Sequence, residues 1–258
     1  MAEASAERLT VGSGEGAREI AVLRREGKAP GLFWLGGFRS DMTGSKATAV
    51  DGFAAAQGLA ATRFDYSGHG ASGGEFADGT VTRWLEEAGS VFDRFAGARA
   101  IVIGSSMGGW IALRLAETLR ATGRVAGLVL IAPAVDMTRA LMWDRWSEKA
   151  RMTLMTTGAY HEASDYADEP YLITRALIAD GDNHLFGERL IEVGCPVTIL
   201  QGVKDTDVPW QHAQNLVARL ASDDVVLTLV KDGDHGLSRP EDIERLNAAI
   251  AALVKEAG

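Results

Sequence analysis

A serine that attacks a carbonyl carbon needs a base to take its proton, an acid to orient that base, and donors for the oxygen that turns negative. The 258-residue chain carries candidates for each. Gly104-Ser105-Ser106-Met107-Gly108 has the form Gly-x-Ser-x-Gly, with Ser106 as the candidate nucleophile. The candidate acid, Asp205, stands in Gly202-Val203-Lys204-Asp205-Thr206-Asp207-Val208-Pro209, and the candidate base, His235, in Asp232-Gly233-Asp234-His235-Gly236. The order Ser, Asp, His suits a serine presented on a sharp strand-to-helix turn. Asp205 is preferred to Asp207, which stands nearer the next helix start, where carboxylates are favoured. Asp136 is a weaker candidate acid, and Asp232 and Asp234 read as neighbours of the histidine that do not orient it. His69 reads as a pocket-edge or structural residue. The oxyanion donors are expected to be the backbone N–H of Met107, directly after the serine, and of Phe38 in Gly36-Gly37-Phe38.

These residues need a scaffold that brings the ends of several strands together. Ala100 to Ile103 is a short β-branched run that reads as a buried strand, and Trp110, Ile111, Leu113, Leu115, Ala116 and Leu119 give helical spacing after the turn. Gly104 and Gly108 suit a turn too tight for a Cβ. Strands are expected at 19–25 (an edge strand), 31–35, 59–66, 125–131, 196–200 and 225–230. Helices are expected at 46–57, 81–96, from the serine to about 122, from Pro209, and from about Pro240. Alternating strands and helices predict an α/β fold with a mostly parallel central sheet and helices on both faces, its site beyond the carboxyl ends of the strands. Residues 1–16 read as loose.

Residues 133–194 break the alternation. They show no obvious strand and read as a small helical lid inserted in a single domain spanning 1–258. Met142, Trp143 and Trp146 are its candidate substrate-pocket residues, since Met-rich apolar surface adapts to flexible chains.

Composition narrows the classes. The net charge of −9 disfavours nucleic acid and anionic membrane as partners. One cysteine excludes an intrachain disulfide, and Cys195 before Pro196 reads as a buried small residue. The five histidines, His161, His184 and His212 among them, show no metal-ligand spacing, so no metal is expected. No apolar stretch reaches membrane-spanning length, and the polar, acidic N-terminus shows no leader, so the cytoplasm is the expected compartment.

Taken together, Phe38-Arg-Ser-Asp-Met-Thr-Gly-Ser-Lys46, Arg63-Phe-Asp-Tyr-Ser-Gly68, Gly104-Ser-Ser-Met-Gly-Gly-Trp110 and Asp205-Thr-Asp-Val-Pro-Trp210 resemble the α/β-hydrolase superfamily over essentially the whole chain. Within it they are similar to the branch of mitochondrial palmitoyl-protein thioesterases and acyl-glucuronide esterases and its bacterial relatives. The resemblance implies an α/β-hydrolase fold and cofactor-free serine hydrolysis of S-acyl thioesters or acyl esters. It assigns Ser106, Asp205 and His235 as the triad and Phe38 and Met107 as oxyanion donors. A small acyl ester or thioester, or an S-acylated protein, is the implied substrate, and the missing transit peptide leads us to expect a bacterial cytoplasmic relative. A carboxylesterase, an aminopeptidase-like enzyme or a perhydrolase on the same fold, or a non-catalytic small-molecule receptor, are the alternatives.

Overall fold

The computed structural model describes residues 4–162, 170–221 and 224–257. Eight strands form one sheet: β1 (Ser5–Val11), β2 (Arg18–Arg25), β3 (Lys28–Leu35), β4 (Leu59–Phe64), β5 (Ala100–Ser105), β6 (Val125–Ile131), β9 (Val197–Gly202) and β10 (Val225–Val230). Their spatial order is β1-β2-β4-β3-β5-β6-β9-β10. The β1–β2 and β2–β4 pairs are antiparallel and every other pair is parallel.

Side-chain alternation along the strands feeds two helix layers. Leu32 and Trp34 of β3, with Ile101 and Ile103 of β5, meet Ala47, Val50 and Ala54 of α1 (Ser45–Gln57) and Leu246, Ile250 and Leu253 of α7 (Pro240–Ala257). Phe33 and Leu35, with Val102, face the other way. They meet Trp84, Val91 and Phe92 of α2 (Val81–Phe95), and Trp110, Ile111 and Leu115 of α3 (Met107–Leu119) lie in the same cluster, with Ala213 and Leu216 of α6 (Trp210–Arg219) beyond. This period of two, read on both faces, marks strands buried on both sides. β5 is buried along its whole length.

Registry then collects the loops. Leu35 of β3 pairs with Gly104 of β5, and Gly104 with Leu130 of β6. Ile131 pairs with Leu200 of β9, and Gly202 with Val230 of β10. The loops after β3, β5, β6, β9 and β10 therefore leave the same rim of the sheet.

Two expectations are corrected. Residues 5–11 are not loose: they form β1, the true edge strand, so β2 lies one strand inside the edge. The 133–194 stretch does contain strands. After β6 come a π-helical segment, Met137–Trp143, and α4 (Glu148–Thr157). Then β7 (Ala159–Glu162) and β8 (Tyr171–Thr174) pair antiparallel, and α5 (Arg175–Gly181) follows. Four-residue strands carry too few alternations to stand out from helical spacing. Pro209 also sits just before α6, whose first residue is Trp210.

Candidate active site

The Ser106 turn is set by sterics. A Cβ on Gly104 would lie 2.4 Å from the Gly108 carbonyl oxygen, and one on Gly108 would lie 2.1 Å from that of Leu35. Ser106 itself takes φ 53° and ψ −118°, a sparsely populated conformation that costs roughly 1–3 kcal/mol. Three backbone hydrogen bonds hold it there. Its N–H donates to Ile131 O at 2.8 Å, and its carbonyl accepts from Gly109 N at 2.9 Å and Ala134 N at 3.0 Å.

His235, after β10, reaches the serine. Ser106 Oγ lies 3.2 Å from His235 Nε2, and His235 Nδ1 lies 2.8 Å from Asp205 Oδ2. A carboxylate only accepts, so Nδ1 carries the proton and Nε2 is left to accept from the serine hydroxyl. Asp205 is buried and fully engaged. Its Oδ1 accepts from Asp207 N at 3.0 Å and Val208 N at 2.8 Å, and its Oδ2 also accepts from Gln201 Nε2 at 3.1 Å. The competing carboxylates have other duties. Asp136 accepts from Phe186 N and Gly187 N, Asp232 pairs with Arg239, and Asp234 accepts from Leu237 N.

The loop after β3 comes against the same serine: a Cβ on Gly37 would lie 3.3 Å from Ser106 Cβ. Among the described residues, no acceptor takes the N–H of Phe38 or of Met107, the first residue of α3. The loop is held from outside at two points. Arg39, at φ 56°, donates its N–H to His69 Nε2 at 3.1 Å, and Met42 N donates to Asp65 Oδ1 at 2.6 Å. His69 Nδ1 faces Ser67 O at 3.1 Å, so the ring donates there and accepts from Arg39. Burial lowers the His69 pKa to about 4, which keeps it neutral. Burial likewise raises the Asp65 carboxyl. Ser67 N donates to Glu87 Oε2 at 2.9 Å, and Glu87 is ion-paired to buried Arg18, so the anchor is itself tied to α2 and β2.

Comparison with known proteins gives the family. The family model of the alpha/beta hydrolase family matches residues 29–248. The chain belongs to that family. It is 35% identical over 236 residues to mouse palmitoyl-protein thioesterase ABHD10, mitochondrial, covering 91% of this chain and 78% of that protein. The solved structure of mouse alpha/beta hydrolase domain-containing protein 10 superposes with a TM-score of 0.89 at 33% identity, covering 98% of this chain and all (100%) of that one. A putative hydrolase from Agrobacterium vitis S4 superposes with a TM-score of 0.95 at 52% identity, with 98% and 100% coverage.

In this α/β hydrolase a cleft of about 620 Å³ opens over Ser106 and His235, within the roughly 300–1,000 Å³ of small-molecule sites. Phe38, Met137, Leu141, Met142, Trp146 and Tyr171 supply its apolar lining, beside the charged Arg39, Arg145 and Glu162. Of the three residues expected to line the pocket, Met142 and Trp146 do. Trp143 does not: its ring lies under the guanidinium groups of Arg139 and Arg151, 5.9 and 5.5 Å from the ring centroid. Cys195 is buried, its thiol pushed up to about 12 by desolvation, which leaves it inert near neutral pH. His212 donates from Nε2 to Val135 O, and burial lowers its pKa. Among the described residues, no group of three or more His, Cys, Asp or Glu could hold a metal ion, and no helix is long and apolar enough to cross a membrane.

Gln201 and Lys46 were missed by sequence reasoning. Gln201 is a fully buried amide at the end of β9, and its signal was a polar residue closing an apolar run. Lys46 lies in the first turn of α1 and donates to Gly236 O, next to His235. Its signal was a cation at a helix end that favours anions.

Proposed function

We propose that this chain is a serine hydrolase that cleaves acyl thioesters or esters, with long-chain S-acyl thioesters as its main substrates. The observation that carries the reading is the continuous hydrogen-bonded line from Ser106 Oγ through His235 to Asp205 in a cleft lined by both apolar and charged side chains. His235 Nε2 takes the Ser106 proton as Oγ attacks the acyl carbonyl. The carbonyl oxygen becomes an oxyanion held by the N–H groups of Phe38 and Met107, beside the N-terminus of α3. His235, now an imidazolium stabilised by Asp205, gives its proton to the departing thiol or alcohol. Water then attacks the acyl-enzyme with His235 as base, releasing the acid and restoring Ser106.

The apolar lining of Met137, Leu141, Met142, Trp146 and Tyr171 supports an acyl chain as occupant of the cleft, and the name of the mouse relative supports an S-acyl group. The test is hydrolysis of acyl thioesters and matched oxygen esters, from short chains to palmitoyl, by wild type and Ser106→Ala. The reading requires Ser106-dependent turnover with kcat/KM rising with chain length on the thioesters. Equal activity in Ser106→Ala would refute the mechanism. Ser106-dependent activity confined to short oxygen esters would refute the long-chain substrate.

A further inference from the structure

Gln201, near the end of β9, places a primary amide where no solvent reaches it. A buried amide is costly unless its hydrogen-bonding groups find partners, and this one is only partly satisfied. Its Oε1 has no partner among the described residues. Its Nε2 faces three acceptors with two hydrogens: Val208 O at 3.0 Å, Gly202 O at 3.1 Å and Asp205 Oδ2 at 3.1 Å. All three neighbours of that nitrogen accept, which fixes the orientation of the amide: turned over, its oxygen would face three oxygens. A methionine would fill a similar volume with no orphaned carbonyl. What the amide adds, and an apolar side chain cannot, is its bonds to the loop that carries Asp205.

Those bonds bracket the acid. Gly202 ends β9 and Val208 lies beyond Asp205, so Nε2 ties together the two ends of loop 202–208. Val208 N is also one of the two donors to Asp205 Oδ1, with Asp207 N, so the bond to Val208 O steadies a residue that holds the carboxylate. Oδ2 receives two donors of its own, Gln201 Nε2 and His235 Nδ1. A donor to a carboxylate oxygen draws off part of its charge. We propose that Gln201 is a positioning residue of the reaction: its amide clamps the Asp205 loop and shares Asp205 Oδ2 with His235, and so sets both where the carboxylate sits and how strongly it holds the imidazolium. The inference rests on the hydrolase reading above.

The other charged groups around the pair stay constant when position 201 changes. Lys46 Nζ donates to Gly236 O, Asp234 accepts from Leu237 N, and Arg145 donates to the carbonyls of Thr206 and Asp207. Lys204 and Asp207, in the Asp205 loop itself, are exposed. A difference between pH profiles therefore reports on Gln201.

The test is the pH dependence of kcat/KM, from about pH 5 to 9, on the octanoyl thioester of N-acetylcysteamine, which has no titrating group. It compares wild type, Gln201→Met and Gln201→Glu, with urea unfolding of each preparation. In Gln201→Met the donors are lost. Oδ2 then serves His235 alone and holds the imidazolium more tightly, so the acidic limb moves up by about half to one pH unit. The plateau falls about tenfold as the loop loosens. In Gln201→Glu the new carboxyl faces three acceptors, so it keeps its proton beyond the ordinary carboxylate range and can still donate to Asp205. Once ionised it repels Asp205, which gives that variant a descending alkaline limb absent from wild type. A side chain that only filled space would lower each profile by one factor at every pH. An acidic limb in Gln201→Met within about 0.2 pH unit of wild type would overturn the role. If that variant failed to fold, a Gln201→Glu profile parallel to wild type would overturn it. Either result, with Ser106-dependent turnover in the wild type, leaves the hydrolase reading standing. Absence of Ser106-dependent turnover would overturn the hydrolase reading and the role of Gln201 with it.

Discussion

Replacing Asp205 by Asn keeps the volume and removes the charge, and the surrounding bonds dictate what happens next. Two N–H groups, from Asp207 and Val208, converge on Oδ1, so the carboxamide oxygen must take that place. Its NH2 then occupies the Oδ2 position, 2.8 Å from His235 Nδ1 and 3.1 Å from Gln201 Nε2. The first contact obliges Nδ1 to accept, which moves the imidazole proton to Nε2, the atom that must accept from Ser106. The second sets donor against donor. Rotating the Gln201 amide would relieve it only by giving up the bonds from Nε2 to Gly202 O and Val208 O. The wrong tautomer lowers kcat by about 10⁴, equivalent to about 5 kcal/mol in the barrier, and the lost pairing costs roughly 1–3 kcal/mol of stability. Steady-state kcat on an octanoyl thioester, with urea unfolding of the same preparation, measures both. A kcat within tenfold of wild type would refute the assignment of Asp205 as the group that sets the tautomer.

Gly108→Ala places a Cβ 2.1 Å from Leu35 O and 2.6 Å from Gly36 O, both backbone atoms, so either the helix or the loop bearing Phe38 must move. The expected loss exceeds about 3 kcal/mol, read as the shift in urea midpoint at constant slope, and a loss under 1 kcal/mol would contradict the packing. His69→Phe removes the acceptor of the Arg39 N–H and loosens the Phe38 loop, so kcat falls roughly tenfold or more, short of the 10²–10³ of deleting an oxyanion donor. The same variant has a pH signature. The folded His69 pKa of about 4 lies below the unfolded value near 6.5, so the unfolded chain binds the extra proton between those values. Its contribution is fully present above pH 6.5 and is lost as pH falls toward 4, a difference on the order of 3 kcal/mol. His184 and His212 are lowered in the same direction, so His69 is isolated as the difference between wild-type and His69→Phe stability across that window. Parallel curves would show that His69 is not held neutral.

The features legible in the sequence were those carried by short-range pattern. β5, the glycine-flanked serine and the amphipathic helix after it announce a strained turn in one stretch of chain. His235 and Asp205 were legible because each follows an apolar strand run by a few residues. The edge strand β1 was not, because only one side of it meets the protein: Leu9 and Val11 turn inward while Ser5, Ala6 and Arg8 stay exposed. Its turn was visible as Gly12-Ser13-Gly14, with Gly12 and Gly14 both at positive φ, yet flanking charges hid the strand. Trp143 illustrates a different limit. An aromatic residue beside Met142 and Trp146 looks like pocket lining, but the π-helical segment turns it onto two arginines. The contact of Lys46 could not be placed without the parallel pairing that sets α1 beside the loop after β10, since Lys46 and Gly236 lie 190 residues apart.

The central claim is that Ser106 carries the acyl group between two half-reactions. Rapid acid quenching of enzyme mixed with octanoyl thioester, followed by intact-mass and peptide mass spectrometry, tests it directly. The account predicts an added octanoyl mass on the peptide containing Ser106, absent in Ser106→Ala and strongly reduced in His235→Ala. Turnover without any adduct at any quench time, or an adduct that persists in Ser106→Ala on Cys195 or another residue, would contradict it.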